Sequence, residues 1–250
     1  LFYQSLDKLY FKKEKKFFKK DLWVNGKIVK NFEKNLEKKF KLKLKALGCN
    51  SGSDALLIAL LLDKDKKRDI YLTTSLSYIA SSSIAKFLNL HLIYLDINKN
   101  NYLLDLENLE IFLKKCPKKI FKRIKGIINV ELFGATNDLL KIKKIAKKYN
   151  LSLIGDCAQS IGTKFKEQSS INYYDYAVTS FYPTKLLSAY GDGGMICVKK
   201  KFKEKALLLK NNGHTIENKN DCRVLGINSR LESLQAFILN NKLKVPLRYT

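Results

Sequence analysis

Ser180-Phe181-Tyr182-Pro183-Thr184-Lys185-Leu186-Leu187-Ser188-Ala189-Tyr190-Gly191-Asp192-Gly193-Gly194 is flanked by two apolar runs of strand length, Tyr176-Ala177-Val178-Thr179 and Met195-Ile196-Cys197-Val198. Lys185 therefore lies on a connection between two sheet elements. The chain holds 48 Lys and Arg residues, and most of them read as solvated surface charge. Lys185 stands apart because its neighbours are small, apolar or hydroxylic. An amine in such surroundings loses hydration, its pKa falls, and it can form a Schiff base with a carbonyl.

Working outward, strands and helices alternate. A strand over Asp69–Thr73 precedes a helix that Ser75-Leu76-Ser77-Tyr78 leads into and that runs through Phe87, and a strand over Leu92–Leu95 follows. A helix near Leu104–Leu113, a strand over Ile124–Val130, a helix over Leu139–Tyr149 and a strand over Leu151–Ile154 complete the series. Helical stretches of this length between strands imply parallel βαβ units, so the fold class is α/β. Ligands of such sheets gather at the carboxyl ends of the strands. Asp156 follows one such end, in Gly155-Asp156-Cys157-Ala158-Gln159-Ser160. A carboxylate there needs a cationic or hydrogen-bonding partner, and beside a Schiff-base lysine it suits a pyridinium nitrogen.

Gly48-Cys49-Asn50-Ser51-Gly52-Ser53-Asp54-Ala55 adds a third signal, because Ser51 and Asp54 have capping-box spacing at the head of an apolar helix. That arrangement is a well-capped helix or, with free N–H groups and the positive end of the dipole at a small-residue turn, a phosphate seat. No Gly-Lys-Ser/Thr follows, so the Walker pattern is not met. Upstream, Leu1–Lys20 reads as helical, Trp23-Val24-Asn25-Gly26 as a turn with Trp23 a packing residue, and Val29, Phe32, Leu36 and Phe40 recur at helical period. Downstream, helices are expected over Phe202–Asn211 and Ser229–Leu243, the second opened by Ser229 and Glu232 at capping-box spacing. Its apolar face is of the kind a further domain would cover.

The composition, 46% hydrophobic in 250 residues, suits a globular chain with a sizeable core. A net charge of +25 raises nucleic acid or an anionic membrane as a partner. The lysines, however, are spread along the whole chain with heavy use of Asn, Ile and Leu, as an AT-rich coding sequence would give. No zinc-finger spacing or aromatic RNA-binding motif is present, and a nucleic-acid partner is not expected. Five cysteines without a C-x-x-C pair suit a reducing cytoplasm. The longest apolar run, Ala55–Leu62, is too short to span a bilayer, and His91 and His214 stand apart from any cysteine pattern, so neither a membrane span nor a metal site is expected. Leu1 in place of Met suggests a sequence that begins inside a longer reading frame.

Taken together the chain resembles the DegT-type nucleotide-sugar aminotransferases, fold-type I enzymes that use pyridoxal 5′-phosphate. The resemblance runs from about Trp23 to Leu243. It rests on four ordered blocks: Asn50-Ser51-Gly52-Ser53-Asp54-Ala55-Leu56, Asp156-Cys157-Ala158-Gln159-Ser160, Ser180–Lys185 with its Gly-Asp-Gly-Gly turn, and Asn228-Ser229-Arg230-Leu231. It implies a PLP-dependent transferase large domain with a mostly parallel central sheet flanked by helices. Lys185 would be the Schiff-base lysine that moves the proton between substrate carbon and cofactor, and Asp156 would keep the pyridine nitrogen protonated. Gln159 would lie near the phenolic oxygen and Tyr78 would stack on the ring. Ser53, the backbone of Asp54 and Ser180 would bind the phosphate, and Asn228 would reach it from a neighbouring subunit of a homodimer with shared sites.

The implied reaction takes an amino group from an amino-acid donor, usually glutamate, to a keto group of a nucleotide-linked sugar. The pattern is nearest to enzymes acting on UDP-linked 3-keto sugars for surface polysaccharide. Lys185, rather than a histidine, argues against the dehydratase branch. The sequence departs from the family pattern at Glu131, Ala135 and Asn212. The implied organisation is an N-terminal helical segment, 1–22, and a PLP-binding large domain, 23–250. The family's small C-terminal domain, roughly a hundred residues of ordinary domain size, is not expected here. The alternative is a truncated fragment that keeps the fold without completing transamination.

Overall fold

The computed structural model describes residues 22–245; the helix expected over Leu1–Lys20 lies outside them. Helix α1 (Lys27–Lys39) buries Val29, Phe32 and Leu36 on one face, as their spacing requires. Trp23 does not pack as expected: it is 63% exposed, and its segment is held through the backbone. The Trp23 carbonyl accepts from the Ser233 N–H at 2.8 Å, and Val24 bridges to Glu232.

Strand β1 (Lys45–Cys49) lies outside the expected elements, because after Lys45 its residues are buried one after another without the alternation that marks a strand. It lies at the sheet edge, where unpaired N–H groups invite aggregation. Two glutamates of α1 cover them: Glu37 accepts from the Ala46 N–H at 2.9 Å and Glu33 from the Gly48 N–H at 2.8 Å. Burial raises the Glu33 carboxyl, and nearby Lys210 opposes that rise.

Helix α2 (Gly52–Asp63) is apolar on every side and correspondingly buried. The series continues with β2 (Ile70–Thr74), α3 (Ala80–Phe87), β3 (His91–Leu95), α4 (Leu106–Lys115), α5 (Lys118–Phe121), β4 (Ile124–Val130), α6 (Leu139–Lys148) and β5 (Ser152–Asp156). A short hairpin, β6 (Lys164–Phe165) and β7 (Gln168–Ser169), leads to β8 (Tyr176–Ser180), β9 (Gly194–Val198), α7 (Lys203–Lys210) and α8 (Ser233–Lys242). The expected strands and helices are thus present, with ends shifted by a few residues.

The seven-stranded sheet has the order β1-β9-β8-β5-β4-β2-β3. β3, β2, β4, β5 and β8 are parallel, whereas β9 is antiparallel to both β8 and β1. A parallel return from β8 would require a crossover, and no helix forms between 181 and 193, so the chain turns straight back. One face of the sheet packs on α1, α4, α6 and α8 around Phe32, Leu36, Leu109, Ile142 and Leu239; the other packs on α2, α3 and α7 around Ile58, Leu60, Ala85 and Leu209. Among the described residues no helix is long and apolar enough to cross a membrane.

The helix expected over 229–243 starts at Ser233, and Ser229 is not its cap. Ser229 is buried; its hydroxyl accepts from the Asn50 N–H at 3.2 Å and its own N–H donates to the Lys210 carbonyl at 2.9 Å. It splices the segment before α8 onto the end of β1. The apolar face of α8 is covered within this chain, against α1, rather than left for another domain.

Candidate active site

β1, β2, β4, β5 and β8 all end at one edge of the sheet, and the side chains that follow them surround a cavity of about 500 Å³. Ser53, Tyr78, Asp156, Gln159, Ser180 and Lys185, six of the residues singled out in the sequence, line it. Asp54 and Asn228 do not.

The head of α2 forms one wall. Ser51 caps the helix, its hydroxyl accepting from the Asp54 N–H at 3.0 Å. The Asp54 amide donates to this cap in the ligand-free chain. Helix geometry leaves the first-turn N–H groups of Gly52 and Ser53 without intrahelical acceptors. Glycine is required at two positions around this turn. A Cβ on Gly52 would stand 2.9 Å from Ser180 Cβ, and a Cβ on Gly194 would stand 2.2 Å from the carbonyl carbon of Ser51. Close backbone approach brings the head of α2 against the ends of β8 and β9.

Asp156 ends β5, one residue pair beyond the expected strand, on the same sheet face as Ile154, which is the face that α2 and α3 cover. Its Oδ2 accepts from the Ser81 hydroxyl at 2.6 Å and its Oδ1 from the Ala158 N–H at 3.2 Å. Burial raises this carboxyl above its ordinary range; the two hydrogen bonds and the charge of Lys185 pull it back. In Lys185, desolvation lowers the ammonium pKa and Asp156 raises it, with desolvation the larger effect. A half-buried amine of this kind reaches its neutral, nucleophilic form more readily than a surface lysine.

A group whose folded pKa lies above its unfolded value takes up protons on folding, so the stability it contributes is lost as pH rises through the folded value. Asp156→Asn keeps both hydrogen bonds, since the Ser81 hydroxyl can reverse to accept from the amide, and removes the buried charge. The ligand-free variant is expected to be more stable than the parent by an amount that grows as pH rises from the ordinary carboxylate value, about 4, toward neutrality. Urea denaturation across that range checks it, and a difference that stays flat with pH would show that the native fold holds no unfavourable charge at Asp156.

The loop after Lys185 is fixed from a distance. Gln235 of α8 accepts from the Tyr190 N–H at 2.8 Å, and Lys242 Nζ donates to the Ser188 carbonyl at 2.7 Å and hydroxyl at 2.9 Å while lying 4.8 Å from the Tyr190 ring centre. Gln159 accepts from the Phe133 N–H at 2.9 Å, which orients its amide at the cavity wall. Tyr78 is largely exposed at the mouth, and Asn228 lies exposed outside it. Among the described residues no cluster of His, Cys, Asp or Glu could hold a metal ion.

Two contributors escaped the sequence reading. Ser81 lies in a run of three serines with no distinguishing neighbour. Glu131 also lines the cavity, and it stood out only as a departure from a family pattern.

The match to a known family is decisive. The description "DegT/DnrJ/EryC1/StrS aminotransferase family" fits residues 4–246. The chain belongs to that family. Among its relatives, the UDP-2-acetamido-2-deoxy-3-oxo-D-glucuronate aminotransferase of Pseudomonas aeruginosa is 34% identical over 200 residues, which are 80% of this chain and 53% of the relative. The UDP-N-acetyl-3-dehydro-alpha-D-glucosamine 3-aminotransferase of Acidithiobacillus ferrooxidans is 34% identical over 194 residues, 77% of this chain and 50% of the relative. The chain therefore spans about half the length of these curated relatives. The crystal structure of NtdA from Bacillus subtilis, which has the cofactor PMP bound, matches with a TM-score of 0.79 at 26% identity, over 88% of this chain and 48% of that one. The α/β fold with a largely parallel sheet is thus the family's fold.

Proposed function

We propose that this chain is the cofactor-binding large domain, residues 23–250, of a pyridoxal-phosphate-dependent aminotransferase. It passes an amino group from an amino acid, glutamate, to the keto group of a UDP-linked 3-keto sugar destined for surface polysaccharide. The observation that carries this reading is the pairing of a half-buried, desolvated Lys185 with the buried carboxylate of Asp156 on one cavity that also holds a helix N-terminus.

The residues fit the group. The cavity offers a nucleophilic amine, a carboxylate of limited access and an anion seat at α2, which are the three chemistries that an aldehyde, a pyridine nitrogen and a phosphate ask for. When bound, pyridoxal phosphate supplies an electron-accepting ring beside the reacting carbon. The Gly52 and Ser53 N–H groups and the Ser53 and Ser180 hydroxyls anchor phosphate oxygens. Asp156 would hold a proton on the ring nitrogen, Gln159 would serve the phenolic oxygen and Tyr78 would stack on the ring. Lys185 Nζ takes the proton from the amino donor's carbon and returns one to the sugar carbon, serving as base and then acid.

The activities that name the two relatives, both on UDP-linked sugars bearing a 3-oxo or 3-dehydro group, support the substrate class. The exposed position of Asn228, outside its own chain's cavity, fits a homodimer in which that residue serves the neighbouring site. Titrating the protein with pyridoxal phosphate tests the reading. A visible band is expected, which glutamate bleaches and a UDP-linked 3-keto sugar restores. No band at any concentration up to the millimolar range would sink it.

A further inference from the structure

A serine hydroxyl in the first turn of a helix ordinarily bonds to nearby backbone or to water. Ser81, in the first turn of α3, is fully enclosed and does neither: its hydroxyl crosses to the sheet and donates to Asp156 Oδ2 at 2.6 Å. That separation is the length of a charge-assisted O–H···O⁻ bond. Among the described residues Asp156 forms no salt bridge, so Ser81 and the Ala158 N–H are its two hydrogen-bond donors. An ionised carboxylate has about four acceptor positions. With one on each oxygen taken from the protein side, the rest are turned toward the cavity that Asp156 lines.

We propose that Ser81 is a positioning residue: it fixes the rotamer of Asp156 and keeps it ionised, so that the carboxylate meets a protonated pyridine nitrogen in the cavity. The proposal rests on the cofactor reading given above. Ser81 does not touch the cofactor itself. It acts by opposing the desolvation that raises the Asp156 carboxyl and so disfavours the charged form, the form that pairs with a pyridinium. Threonine at this position keeps the hydroxyl; alanine removes it and leaves Oδ2 buried without its donor.

The test compares pyridoxal phosphate with its deaza analogue, in which carbon replaces the ring nitrogen, on the full chain and on Ser81→Ala and Ser81→Thr. For pyridoxal phosphate, Ser81→Ala is expected to raise the dissociation constant at least tenfold, the scale of a lost hydrogen bond to a charged group. The ¹⁵N resonance of the ring nitrogen is expected to move toward the unprotonated position, and Ser81→Thr to restore both. The deaza analogue should bind parent and Ser81→Ala within about twofold of each other. Equal weakening of both compounds would overturn the proposal, because it would mean that Ser81 supports the shape of the cavity and not the ring nitrogen. An unchanged ¹⁵N position in Ser81→Ala would do the same. A parent chain that shows no Lys185-dependent visible band overturns the cofactor reading, and this proposal with it; a band in the parent beside a silent Ser81→Ala overturns this proposal alone.

Discussion

Lys185→Ala is expected to abolish the visible band of added pyridoxal phosphate and to lower transamination by roughly 10⁴-fold, since the proposed function makes this amine both the nucleophile and the proton carrier. The size of the effect follows from where Lys185 sits. Among the described residues it is the only lysine on the cavity wall, in a chain whose other cations are mostly spread over the surface. Its depressed pKa comes from lost hydration and is partly offset by Asp156. Lys185→Arg separates these two influences. The guanidinium keeps a positive charge facing Asp156 but does not deprotonate near neutral pH, so it should retain the fold's charge balance and still fail to form the band. A band of parental intensity in Lys185→Ala would remove Lys185 from the chemistry.

The second large effect concerns stability. Glu131 is wholly enclosed, and its carboxylate accepts four hydroxyls: Thr136 and Tyr174 on Oε1, each at 2.8 Å, and Ser160 and Ser170 on Oε2, the latter at 2.8 Å. The Tyr174 hydroxyl is committed to this donation because it already accepts from Asn129 Nδ2 at 2.8 Å. Burial and the neighbouring Glu131 charge together push the Tyr174 phenol well above its ordinary range. Glu131→Ala strands the part-buried Thr136 hydroxyl and three enclosed donors, Ser160, Ser170 and Tyr174, which together come from three separate segments, and an expected loss of about 3–5 kcal/mol follows. For a domain of this size that is a fall in Tm of about 10 °C. Glu131→Gln should cost less, since the amide oxygen still accepts and the serine hydroxyls can turn to meet its N–H groups. Chemical denaturation of the three proteins gives the comparison; an alanine variant within about 1 kcal/mol of the parent would mean that water replaces the carboxylate freely.

What the sequence makes legible here is whatever depends on neighbours along the chain. The apolar run Ile124–Val130 is a strand end to end, Ser51 caps α2 through the Asp54 N–H as its spacing implies, and Lys185 does lie on an irregular connection between strands. The failures share a cause, which is that their partners are remote in sequence. Ser81 meets Asp156 across 75 positions and Ser229 meets Asn50 across 179. Nothing within a few residues of either serine marks the bond. β1 escaped notice for a related reason: an edge strand guarded by the glutamates of a neighbouring helix need not show a clean apolar alternation of its own. The cap at Asp54 is legible for the opposite reason, since both of its partners lie within one helical turn.

The hold of Gln235 and Lys242 on the loop that follows Lys185 bears on the order of events at the ribosome. Synthesis delivers the chain at about 5–20 residues per second. The lysine emerges well before the helix that secures Ser188 and Tyr190, and α8 in turn docks on α1 from the opposite end of the sequence. Contacts of such long range form late, after the entropy of closing the intervening chain has been overcome. A nascent chain therefore carries Lys185 on an unsecured loop until α8 has emerged, and the cavity wall that this loop forms takes shape only after that.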